Sequence, residues 1–405
     1  MPYVQFGRNR VNYGLRGEEG RDVIVFVNGL TQTTALWVNY QEWLAQQGYR
    51  VLAYDSLGQG MSSKPVLGIH LEDHADVLVK LLDELAIKDC FIAGISFGGV
   101  VAQHVAINHP ERVRGLIPMS TFSEMPTQLE MFGLAFHSAI TQAGFPLIQS
   151  LLMPMNFSSG WLSMARNSLS ESMRRGYAVN DPYAIQNLME SYVNFRPFTE
   201  DLNKIKCPTL ILNGEYDFLT PRICHEILRL NIPNSRLMII QHAYHAFTLE
   251  HPEITMRVIE AFVRSVREGT WIGDKSVWVA SDNPQSEIVA TRYVGDHLRS
   301  VFIPRQHEDI DEWRMSVAGA PPAAVVQPKA KVNSKKAAPV KKAAKPTAAK
   351  PLSPKPASAK PAAVKKAVAG KTAAQSVTKP TKPVKTSQAA TKKHRQNLRQ
   401  QPGKR

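Results

Sequence analysis

The run Val23–Val27 (VIVFV) constrains this chain more than any other stretch. It is too short for an ordinary helix and carries no polar face, so it reads as a strand covered on both sides. Similar runs recur at residues 51–54, 90–94, 116–119, 209–212 and 237–240. Helical patterns lie between several of them: residues 71–85 repeat apolar side chains at three and four spacing, 100–107 follow a glycine pair, and 254–266 are amphipathic. Strand and helix in alternation predict an α/β fold, a mostly parallel sheet flanked by helices. Residues 3–6 and 11–15 alternate around a basic turn and predict a leading hairpin.

The alternation stops between residues 123 and 201, which are rich in Met, Leu and Phe. A helical insertion of about four helices, or a lid, is expected there. It resumes and closes by residue 268, so 1–268 form the expected domain. Residues 269–316 hold strand-like stretches at 276–280 and 287–293, and a small appended hairpin is expected. From 317 to 405 the chain turns to Lys, Ala and Pro, a composition that buries too little apolar surface to offset chain entropy; a disordered basic tail is expected.

Charge divides along the same line. Residues 329–405 carry 22 Lys and Arg and no Asp or Glu, leaving 27 basic against 34 acidic residues in 1–328. The net +15 therefore belongs to the tail, a candidate for non-specific binding of nucleic acid or another polyanion through phosphate contacts. The three cysteines, Cys90, Cys207 and Cys224, are scattered and form no CxxC pair, which fits a reducing compartment. The first ten residues lack the apolar core of a secretory signal, and no apolar run reaches the length of a membrane span, so a cytoplasmic location is expected. There is no P-loop, dinucleotide fingerprint or HExxH, and no cofactor or metal is expected.

The chemistry points to Gly94-Ile95-Ser96-Phe97-Gly98, a G-x-S-x-G directly after a buried strand and before a helix. There a serine sits on a sharp turn with its hydroxyl exposed. A serine needs a base. His245 lies on the loop after the last long strand, with His242 as a nearer rival that reads as a turn residue. The base needs an acid to fix its tautomer, and Asp217, followed by Thr220-Pro221, is preferred to Glu215 on the loop after residues 209–212. The backbone amides of Leu30, after Asn28-Gly29, and Phe97 are candidates for an oxyanion hole.

Together these motifs resemble the α/β-hydrolase superfamily across about residues 3–268. The resemblance also rests on Asp55, Gly58, Gly60 and Ser62, on Gly99 and Gly214, and on Glu250 and Pro252 after His245. It departs where Asn28 replaces the usual His and Leu57 the usual Arg. Residues 27–29 and 33–35, with Asn213, Gly214, Asp217 and Thr220, are similar to the 3-hydroxyacyl transferase of rhamnolipid-precursor synthesis and to intracellular polyhydroxyalkanoate depolymerases. The resemblance implies a serine hydrolase cleaving a carboxylic ester or thioester through an acyl-enzyme, or an acyltransferase built on the same triad. Relatives that use an aspartate nucleophile are disfavoured because position 96 is serine.

Overall fold

A computed structural model describes residues 2–66, 68–282, 288–293 and 311–315. The chain divides into units 1–328 and 329–405, and all the described residues belong to the first. The basic tail expected at 317–405, and parts of 269–316, lie outside the described residues.

The chain begins with a hairpin of β1 (Tyr3–Phe6) and β2 (Asn9–Arg16), continued by β3 (Val23–Val27), α1 (Val38–Gln46), β4 (Arg50–Tyr54) and α2 (Leu71–Glu84). Next come β5 (Cys90–Ile95), α3 (Phe97–Asn108) and β6 (Val113–Met119). Four helices then interrupt the alternation: α4 (Thr127–Ala143), α5 (Phe145–Asn156), α6 (Ser159–Val179) and α7 (Pro182–Val193). It resumes with β7 (Thr209–Gly214), α8 (Arg222–Asn231), β8 (Ser235–Ile240), α9 (Phe247–Glu250) and α10 (Pro252–Arg267). The last described strands are β9 (Asp274–Asp282), β10 (Ile288–Tyr293) and β11 (Asp311–Met315).

One sheet runs in the order β1-β2-β4-β3-β5-β6-β7-β8-β9-β10-β11. From β4 through β9 every neighbouring pair is parallel, while β2 joins β4 and β10 joins β9 antiparallel. The strand period of two explains how VIVFV is buried at every position: Val23, Val25 and Val27 face the layer of α2, α3 and α8, whereas Ile24 and Phe26 face α1 and α10. In β5, Cys90 and Ile92 face the first layer, and Phe91, Ala93 and Ile95 the second. Around the expected stretches 276–280 and 287–293, residues 277–282 pair antiparallel with 288–293, but their first strand is also a parallel rung on β8, so the central sheet runs on through it. Among the described residues no helix is long and apolar enough to cross a membrane.

Candidate active site

Parallel strands of one sheet end on the same side, so the loops after β3, β5, β7 and β8 gather along one edge. Each carries one of the residues singled out in the sequence. Ser96 joins β5 to α3 with φ 54° and ψ −117°, a left-handed conformation that costs a non-glycine residue strain. The turn closes only because its flanks lack side chains: a Cβ at Gly94 would stand 2.1 Å from the Gly98 carbonyl oxygen, and one at Gly98 would stand 2.2 Å from that of Val27. The Ser96 amide donates to Met119 O at 2.9 Å, and its carbonyl accepts from Gly99 N, Val100 N and the Thr121 hydroxyl. The residue remains half-buried, whereas its neighbours Ile95 and Phe97 are fully buried.

Asp217 and His245 meet. The imidazole Nδ1 lies 2.9 Å from Asp217 Oδ2 and 3.0 Å from Oδ1. An ionised carboxylate only accepts, so Nδ1 carries the proton and Nε2 presents a lone pair. Asp217 Oδ1 also accepts from the amides of Leu219 and Thr220, and Oδ2 from the Thr220 hydroxyl at 2.8 Å and, more weakly, from Asn213 Nδ2 at 3.4 Å. Burial works to raise this carboxyl, but the His245 charge and hydrogen bond, the His225 charge and the Thr220 amide outweigh it, so it lies below the ordinary carboxylate value. The rivals do other work. Glu215 accepts from the His242 amide at 2.8 Å, and His242 is exposed, sits at φ 58° and stacks on Tyr216.

Among the described residues no hydrogen bond joins Ser96 Oγ to His245. The Leu30 amide likewise meets no protein acceptor, and Phe97 is the first residue of α3, where backbone amides have no partner within the helix. Both amides are therefore open donors. The loop bearing Leu30 is held from every side: Gly29 N donates to Gln32 Oε1 at 2.9 Å, Thr31 N donates to Gln59 Oε1, and Thr31 sits at φ 68°. Asn28, the departure from the family pattern, turns into the core, where it accepts from the Trp37 indole at 2.6 Å and donates to Tyr54 O at 2.8 Å. It braces the strand end, and its side chain is engaged there by Tyr54 and Trp37.

Sequence reasoning missed His225. Fully buried on α8, it accepts from Thr121 N at 3.0 Å through Nε2 and faces Pro221 O at 3.3 Å through Nδ1. Since Thr121 also bonds Ser96 O at 2.8 Å, this histidine connects the serine turn to the helix that follows the Asp217 loop. Only the covalent neighbourhood of Asp217 could have hinted at it. Among the described residues no group of three or more His, Cys, Asp or Glu side chains could hold a metal ion.

Residues 22–252 match the profile of the alpha/beta hydrolase fold family, more than half of the chain. The chain belongs to the alpha/beta hydrolase fold family. This α/β hydrolase is 27% identical over 259 residues to 3-oxoadipate enol-lactonase 2 of Acinetobacter baylyi, covering 63% of this chain and 93% of the relative. It is 28% identical over 272 residues to the 2-hydroxy-6-oxononadienedioate/2-hydroxy-6-oxononatrienedioate hydrolase of Burkholderia vietnamiensis, covering 63% of this chain and 91% of the relative. The enol-lactonase from Burkholderia xenovorans LB400 superimposes with a TM-score of 0.60 at 20% identity, over 65% of this chain and all of that one, and shows the shared fold. Family and relatives make this α/β hydrolase an enzyme of hydrolytic chemistry acting on a small molecule.

Proposed function

We propose that this α/β hydrolase cleaves a carboxylic ester, lactone or thioester through an acyl-enzyme on Ser96. The observation that carries the reading is the Asp217 carboxylate gripping His245 Nδ1 at 2.9 and 3.0 Å, on loops that share one edge of the sheet with a serine held at φ 54°. His245 Nε2 takes the Ser96 proton as the oxygen attacks the carbonyl carbon. The amides of Leu30 and Phe97 receive the oxyanion. As the tetrahedral species collapses, the imidazolium returns the proton to the leaving group, and water, activated by the same nitrogen, releases the acid. A relative named for a lactone, an internal ester, supports the substrate class. The four helices between β6 and β7 are the lid of this reading.

A fluorophosphonate should label the wild type and not Ser96→Ala; labelling of both, or of neither, would refute the assignment. Acyl transfer to a hydroxyl uses the same residues with a different acceptor. A 3-hydroxyacyl thioester yielding an ester-linked dimer in place of free acid distinguishes it.

A second reading concerns residues 329–405, whose 22 Lys and Arg occur without an acidic residue. Such a segment binds polyanions by counterion release, and it holds no aromatic side chain for base stacking. Full-length protein should retard DNA at low salt and release it at high salt, and a chain ending at 328 should not. Equal mobility of the two chains would dismiss this role.

A further inference from the structure

Helix α6 has 21 residues and buries none of them. Its two ends, however, are bonded to the two loops that matter most. At the first end, Ser158 N donates to Glu250 Oε1 at 3.1 Å, and the other oxygen of Glu250 accepts from Tyr244 N at 3.2 Å, one residue before His245. Ala246 N, one residue after His245, donates to Asn156 O at 3.0 Å, at the end of α5. The histidine is thus flanked on both sides by bonds that lead to the α5–α6 joint. At the far end Asn180, only 2% exposed, donates through Nδ2 to Thr31 O at 2.9 Å and accepts from Gly60 N at 3.2 Å. Thr31 follows Leu30, whose amide is the open donor.

The span fits. Twenty-one helical residues extend about 31 Å at 1.5 Å each. The four steps of the sheet from β3, which leads into the Leu30 loop, to β8 take up about 19 Å at roughly 4.8 Å each. Helix α6 is long enough to arch over the ends of the strands that carry the serine, from the histidine loop to the Leu30 loop.

We infer that α6 is a strut that sets the base and the oxyanion donor together, with Glu250 and Asn180 as its positioning residues. The inference rests on the serine-hydrolase reading. Bonds to a lid held this way are made in the assembled site, so loosening either end should lower kcat and leave KM little changed.

Two substitutions isolate the bonds. Ser158 has φ −66° and follows an extended Phe157, a backbone that proline adopts without strain. Ser158→Pro removes the amide that Glu250 holds, and Ser158→Ala, which keeps it, is the reference because both lose the hydroxyl that caps Trp161 N. Asn180→Asp keeps an acceptor for Gly60 N and loses the donor to Thr31 O. Rates of fluorophosphonate labelling and of ester hydrolysis are compared below each variant's measured unfolding midpoint. Ser158→Pro should label about 5- to 10-fold more slowly than Ser158→Ala, the size of one lost hydrogen bond. Asn180→Asp should lose kcat by about 10-fold with KM within about twofold of wild type. Equal rates in a wild type and variants that all label would overturn the strut alone. A folded wild type that does not label would overturn the nucleophile assignment, and the strut with it.

Discussion

Five donors converge on the carboxylate of Asp217: the amides of Leu219 and Thr220, the Thr220 hydroxyl, Asn213 Nδ2 and His245 Nδ1. Asp217→Asn offers an NH2 where an acceptor is needed and favours the wrong imidazole tautomer. It should lower kcat about 10³- to 10⁴-fold while circular dichroism stays native. Two other buried groups contribute to acid stability. Burial holds both His74, packed edge-on against Phe97, and His225 at about 4, below the ordinary 6.5. Between those values the unfolded chain takes up protons that the folded chain refuses, so stability falls as pH drops from about 6.5 to 4. By pH 4.5 the loss is about 2–3 kcal/mol for each histidine. Denaturant midpoints at pH 7, 5.5 and 4.5 check it, and His74→Leu should flatten part of the decline. At this scale the Asp217–His245 contact and the strained turn at Ser96 were legible, because a G-x-S-x-G after a buried strand and an acid and a histidine on later strand-end loops leave a mark in the sequence. His225 was not, since its partners are a backbone amide 104 residues away and a nearby carbonyl.

Elements were legible where one apolar period dominates. Helix α2 turns Leu71, Ala75, Leu78 and Leu82 inward, and the pattern announces it. Helix α8 buries Cys224 and Leu228 together with His225, Glu226 and Arg229, the last two bonded to each other, so its inward face does not look apolar in sequence. The four helices between β6 and β7 were countable, but their contacts were not, because hydrogen bonds to Glu250, Ala246 and Thr31 leave no periodic mark. The tight join of β5 to α3 makes a sharper forecast. Gly98→Ala drives a methyl into the Val27 carbonyl and should cost about 3 kcal/mol or more, read as a lowered denaturant midpoint; an unchanged midpoint would mean that the turn opens freely.

For the molecule as a whole, the α/β architecture followed from six apolar runs, while the end of the domain did not. A boundary at 268 looked natural because the helix ends there. Yet β9 lies parallel on β8, Val277 and Ala280 are fully buried, and Arg236 binds Asp274 at 2.9 Å while lying over the rings of Trp271 and Trp278. A chain cut at 268 exposes the edge of β8 and should melt at least about 5 °C below one cut at 328, with aggregation on heating. Equal melting would make the extra strands an ornament. Nothing in residues 269–280 flagged the pairing, since a short strand-like stretch carries no record of its neighbour.

The backbone of Ser96 is wholly spoken for, its amide by Met119 and its carbonyl by Gly99, Val100 and Thr121. The hydroxyl oxygen therefore swings on a fixed pivot. Rotation about its own Cα–Cβ bond re-aims that oxygen without disturbing a rung of the sheet, so the hydroxyl samples its directions at the pace of a side-chain flip.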